Sequence, residues 1–130
     1  MRERPLSPHL SIYRFRYTLT SSIANRLTGG VASVAFLAFA IWLAAAAGDT
    51  PFFERLHAAF SHPAGRVLLA LVIVAFIYHT LAGVRHLVWD TGRALERAQA
   101  QASAWLLFAI TVVVSAGVLY AVFFRAAGAS

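Results

Sequence analysis

The chain has 130 residues, of which 60% are hydrophobic and only 12% charged, a balance too apolar for a soluble domain of this size. Its formal charge of +6 comes from eleven arginines set against five acidic residues, with no basic run interleaved with aromatics, so nothing marks it as a nucleic-acid binder. Cysteine is absent, which excludes disulfides, thiolate-bound iron–sulfur clusters, thioether-linked haem and cysteine nucleophiles.

In chain order, residues 1–27 form a polar arm and a helix start. Arg4 to Leu10 holds Pro5 and Pro8, which forbid regular helix, so this stretch is expected to lie extended where it can meet a cytoplasmic partner. The first apolar run begins about thirty residues in, too late for a secretory leader. Three apolar segments follow, at 28–47, 67–89 and 102–124. Each is about twenty residues or slightly more, enough at 1.5 Å per residue to cross the roughly 30 Å hydrocarbon core. Backbone groups in lipid must bond within their own segment, so all three are expected to be helices and the fold all-α.

The connection at 48–66 reads as a loop with a short interfacial helix, capped by Thr50, opened by Pro51 and carrying Phe53, Leu56 and Phe60 at helical spacing. The loop at 90–101 adds Arg93 and Arg97 to Arg85 and to the five arginines that precede the first span. The opposite side has Arg55, Arg66 and Arg125. By the positive-inside rule the N-terminus and the second loop face the cytoplasm or mitochondrial matrix. The whole chain reads as one membrane domain without an internal repeat.

Ionisable residues inside a span are costly and are functional candidates by default. His79 sits near the middle of the second span, and Arg85 and His86 lie about 9 to 10 Å nearer the inner surface. Seven helical steps return His86 to within about 20° of His79, so the two imidazoles share a face, and Gly83 leaves that face open one turn beyond His79. A buried imidazole beside such a gap suggests haem ligation. From periodicity alone, a polar residue bonded to a neighbouring helix is the commoner case for His79, and snorkelling suffices for Arg85 and His86. One helix cannot supply both axial ligands, and the other two spans hold no histidine, methionine, cysteine or lysine. If His79 binds haem, a second ligand must come from another chain. At the start of the first span, Ser22 and Arg26 are four residues apart and can grip a carbonyl or carboxylate at the membrane edge. Helix-start chemistry with an interfacial anchor is an equal account. Gly29, Gly30 and Ser33 permit close helix approach.

Three stretches, Ser7 to Tyr13 (SPHLSIY), Ser22 to Gly29 (SIANRLTG) and His79 to Asp90 (HTLAGVRHLVWD), resemble in order the signatures of the succinate dehydrogenase cytochrome b subunit family, membrane anchors of respiratory complex II. The resemblance implies three transmembrane helices forming half of a heterodimeric haem-binding bundle. It implies haem b held by His79, with the other axial ligand from a second small membrane subunit. Ser22 and Arg26 match the serine and arginine that line the ubiquinone site beside the iron–sulfur subunit. Arg26, Arg85 and His86 match positions near the haem propionates. Asn25 stands where family members often have histidine, and it cannot carry imidazolium charge. FAD and the iron–sulfur clusters are implied on the flavoprotein and iron–sulfur partners. The resemblance further implies a role in electron transport and the tricarboxylic acid cycle. A bacterial cytoplasmic membrane is expected rather than the mitochondrial inner membrane. Two alternatives remain at this level: the anchor of a quinol:fumarate reductase, and a small haem-free transporter subunit, although no span carries an interior carboxylate.

Overall fold

Residues 17–48 and 51–125 are described by the computed structural model. The expected extended arm at Arg4 to Leu10 and the Thr50 cap lie outside them. Four α-helices run α1 (Tyr17–Ala47), α2 (Pro51–Ser61), α3 (Pro63–Asp90) and α4 (Arg97–Tyr120), with α4 continuing as a π-helical turn at Ala121–Arg125. Three stretches, Leu19–Ala47, Pro63–Asp90 and Arg97–Arg125, are long and apolar enough to cross a membrane. The fold is all-α, as the apolar segments required.

Each helix is longer than its apolar stretch. α1 begins at Tyr17, eleven residues ahead of the apolar run, so Ser21 to Arg26 are helical. A short helix, α2, stands in the 48–66 connection; its Phe53 sits between Trp42 of α1, 5.7 Å away between ring centroids, and His57, 5.9 Å away. His62 caps α3, its Nδ1 accepting the Ala64 amide at 3.3 Å, and Pro63 supplies the first helical position where no N–H is required. A Cβ on Gly65 would collide with the Ala59 carbonyl and stand 2.7 Å from Phe60 Cα, so only glycine allows the tight α2–α3 corner. α3 ends at Asp90, and just past the Thr91 cap Gly92 takes a left-handed φ of +78°, its amide donating to Trp89 O at 2.8 Å.

Helix α3 is central, packing on α1 along one side and on α4 along the other. The interfaces use small side chains: Ala32 and Ala45 on α1, Ala82 on α3, Ala104 on α4. In α4, Ala104, Leu107, Thr111 and Ser115 are buried at three- and four-residue spacing, one stripe of the helix. Small residues let backbones approach closely where lipid supplies no hydrophobic drive for association. Of the buried α4 hydroxyls, Thr111 Oγ1 donates to Leu107 O of its own helix at 2.8 Å, whereas Ser115 Oγ has no hydrogen-bond partner among the described residues. Large side chains such as Leu37, Phe39, Val113 and Phe124 point outward, which suits lipid or another protein and not water.

Candidate functional site

The chemistry-bearing residues of the sequence converge where the first turns of α1 meet the C-terminal half of α3. His79 Nδ1 lies 3.1 Å from the backbone carbonyl of Asn25. That carbonyl has no hydrogen to offer, so Nδ1 carries the proton and donates, leaving the Nε2 lone pair as the basic site. His79 is half-buried, and its ring lies on Gly29: a Cβ there would be 2.9 Å from Cε1. Thr28 Oγ1 donates to Ala24 O at 2.7 Å and lies 3.1 Å from the same Asn25 carbonyl. The Asn25 side-chain Oδ1 is buried without a hydrogen-bond partner among the described residues. Gly83, one turn beyond His79, faces open space, since a Cβ there would meet nothing within 4 Å.

Next to this pair, toward the C-terminal end of α3, lies a cavity of about 200 Å³. Ser21 and Ser22 form its α1 wall; Tyr78, Ala82, Arg85, His86 and Trp89 form its α3 wall. Tyr78 donates its hydroxyl to Ser21 O at 3.3 Å and so ties the two walls together. Arg26 is exposed on α1, one turn from Ser22, and is not among the residues lining the cavity. His86 is exposed at the rim, its Nδ1 donating to Ala82 O at 2.7 Å and its ring edge-on to Trp89 at 5.2 Å.

Arg85 does not snorkel to the surface. It is 9% exposed, and its Nε donates to Ser103 Oγ at 2.9 Å and its Nη2 to Ala100 O at 2.6 Å, both on α4. Its guanidinium stacks 4.0 Å above the Trp89 ring. Desolvated cation–π contacts of this kind are worth about 2 kcal/mol. Arg85 thus pins α4 to α3 and forms the floor of the cavity. Sequence reasoning missed Tyr78, Trp89 and Ser103. Trp89 sits four residues after Arg85, a stacking spacing that was visible in the sequence, whereas Tyr78 and Ser103 gain their roles only across helix interfaces.

Among the described residues, no group of three or more His, Cys, Asp or Glu side chains is placed to hold a metal ion. An iron at His79 therefore has to bring its other ligands with it or take them from a neighbouring chain. A porphyrin brings four.

Residues 1–118 match the family model described as "Succinate dehydrogenase/Fumarate reductase transmembrane subunit". The chain belongs to that family. It is 37% identical over 112 residues to the succinate dehydrogenase cytochrome b556 subunit of Paracoccus denitrificans, a match covering 86% of each chain. To the cytochrome b560 subunit of Reclinomonas americana it is 37% identical over 98 residues, covering 72% of this chain and 68% of that one. To the mitochondrial cytochrome b560 subunit of Sus scrofa it is 33% identical over 118 residues, covering 88% and 69%. The family that the three motifs resembled is thus the family to which the chain belongs, and the small-transporter alternative is set aside. Both bacterial and mitochondrial succinate dehydrogenase transmembrane subunits are among these relatives.

Proposed function

We propose that this chain is the haem b-binding membrane anchor of a succinate:quinone oxidoreductase, holding a flavoprotein and an iron–sulfur subunit at the inner face of a bacterial cytoplasmic membrane and helping to form the ubiquinone-reduction site. The observation that carries the reading is the state of His79: inside a span of a cytochrome b-type relative, its Nδ1 is committed to the Asn25 carbonyl. Metal-ligating imidazoles characteristically donate their other ring N–H to such an acceptor, which fixes tautomer and ring orientation. Haem b, when bound, supplies a one-electron redox centre within the membrane.

The residues of the chain fit that group. His79 would hold the iron through Nε2. Asn25, whose buried side-chain Oδ1 has no hydrogen-bond partner among the described residues, and the rim residue His86 would lie nearest the propionates; an amide's O and N are assigned from its surroundings, so a turned Asn25 amide would donate to them. Gly83 leaves room beside the ring. Arg85 contributes from behind, by fixing Trp89 and the cavity floor. Because α1 and α4 hold no histidine, methionine, cysteine or lysine, a further small membrane subunit would supply any second protein ligand to the iron.

Ser22, on the cavity wall, and Arg26, exposed one turn along, would orient a quinone headgroup. Arg26 stabilises the negative charge that develops on the quinone oxygen during reduction, and Ser22 donates a hydrogen bond to its carbonyl. The named relatives are succinate dehydrogenase subunits, which favours succinate oxidation over fumarate reduction as the working direction. The arginine distribution supports a cytoplasmic N-terminus.

The test is a dithionite-reduced minus oxidised optical spectrum of the detergent-solubilised complex, purified through a tag on this chain, with the copurifying subunits identified. A b-type signal together with a flavoprotein, an iron–sulfur protein and a second small membrane subunit is the expected result. Absence of haem and of partners would overturn it.

A further inference from the structure

The two adjacent glycines of α1 are not equivalent. A Cβ built on Gly30 meets nothing within 4 Å, whereas one built on Gly29 comes to 2.9 Å from His79 Cε1, 3.3 Å from Nδ1 and 3.6 Å from Nε2. The Cε1 side of the imidazole, with both its nitrogens, therefore stands against the place a side chain would occupy. One turn earlier on the same helix, the Asn25 carbonyl receives Nδ1 at 3.1 Å. These two contacts act on different degrees of freedom. The hydrogen bond selects which nitrogen is protonated but leaves the ring free to pivot about it; the flat backbone at Gly29 restricts the pivot.

We propose that Gly29 is the positioning residue for His79, its missing side chain forming a notch in α1 that seats the imidazole so that the Asn25 carbonyl holds Nδ1 and Nε2 is left as the coordinating nitrogen. The inference rests on the reading of His79 as a haem ligand. It assigns Gly29 a role through His79 and not through helix–helix approach in general, the ordinary account of small residues in a membrane bundle. The distinction is physical. A methyl at Gly29 strikes the end of a side chain that can turn about χ1 and χ2, so the helices can stay in place while the ring moves and the Nδ1 bond lengthens. Loss of the group that orients a metal-ligating histidine weakens metal retention by roughly 10- to 100-fold.

The experiment compares Gly29→Ala, Gly30→Ala and His79→Ala in the purified complex, reading subunit composition, haem per complex, and the electron paramagnetic resonance signal of the oxidised haem, whose g values report axial-ligand orientation. Gly29→Ala should keep its subunits while retaining haem about 10- to 100-fold less tightly or with shifted g values; Gly30→Ala should match the parent. Should Gly29→Ala fail to assemble, the double variant Gly29→Ala/His79→Ala decides, because removing the ring removes the clash: assembly equal to that of His79→Ala alone supports the notch, and no rescue overturns it. Parental haem content and g values in Gly29→Ala, or the same defect in Gly30→Ala, would also overturn it. An unaltered haem signal in His79→Ala would instead sink the ligand reading itself, an outcome distinct from failure of the notch.

Discussion

Arg26 and Arg85 are both arginines near the inner ends of spans, and they differ in what is left of their charge. Arg85 has given its donors to Ser103 and Ala100 and its face to Trp89, so its charge is consumed in joining α3 to α4. Arg26 is exposed one helical turn from Ser22, which lines the cavity, so its charge is available to something outside the chain. Substituting Arg26 with Ala should therefore lower quinone reduction by roughly 100-fold or more, the size of effect seen when one donor to a developing oxyanion is removed. Succinate oxidation by a soluble artificial acceptor, which bypasses the membrane site, should change less than about twofold. Equal losses in the two assays would remove Arg26 from the quinone site. The candidate residues themselves were legible in the sequence, because an ionisable group within a span is conspicuous. Their division of labour was not: Arg85 meets Ser103 across eighteen residues and an interhelical contact, a pairing that periodicity along one helix does not encode.

At the scale of elements, hydropathy marks the part of a helix that lies in lipid and says little about where the helix ends. At 1.5 Å per residue, the 31 residues of α1 extend about 46 Å, well beyond the roughly 30 Å core, so its first turns carry Ser21, Ser22 and Arg26 out of the hydrocarbon on a rigid rod. The polar start of the helix, read from the sequence as part of a 1–27 arm and helix start, is thus the platform of the candidate site. The short α2 was readable from Pro51 and from the spacing of Phe53, Leu56 and Phe60. The sharpness of its junction with α3 was not, because it depends on Gly65 meeting the backbone of Ala59 and Phe60. Backbone cannot rotate away as a side chain does. Gly65→Ala should then destabilise the corner by about 1 to 3 kcal/mol, the usual cost of overpacking, and lower the thermal midpoint of the purified complex. Its haem spectrum should be untouched, since α2 lies at the far end of α3 from His86. An unchanged midpoint would mean that the corner opens without cost.

Across the whole molecule, three helices bury few side chains between them and turn their large ones outward, which is the arrangement expected of a chain whose surroundings are lipid and other subunits. Such a chain has little internal preference for one orientation over the other; the choice rests on charge at the span ends. Arg26, Arg85, Arg93 and Arg97 lie toward one end of the bundle, against Arg55, Arg66 and Arg125 toward the other, and four more arginines precede α1 in the sequence. The site occupies the arginine-rich end, so its orientation decides whether it can receive electrons from subunits in the cytoplasm. The absence of native cysteine makes this directly measurable. Single substitutions Ser61→Cys, at the end of α2, and Thr91→Cys, at the end of α3, place one thiol on each side without altering charge. In intact bacterial cells stripped of their outer membrane, a membrane-impermeant maleimide should label Ser61→Cys and leave Thr91→Cys unmodified until the cells are lysed. The reverse pattern would put Ser22, Arg26 and His86 on the outer surface, away from any cytoplasmic electron donor, and the proposed site would lose its function.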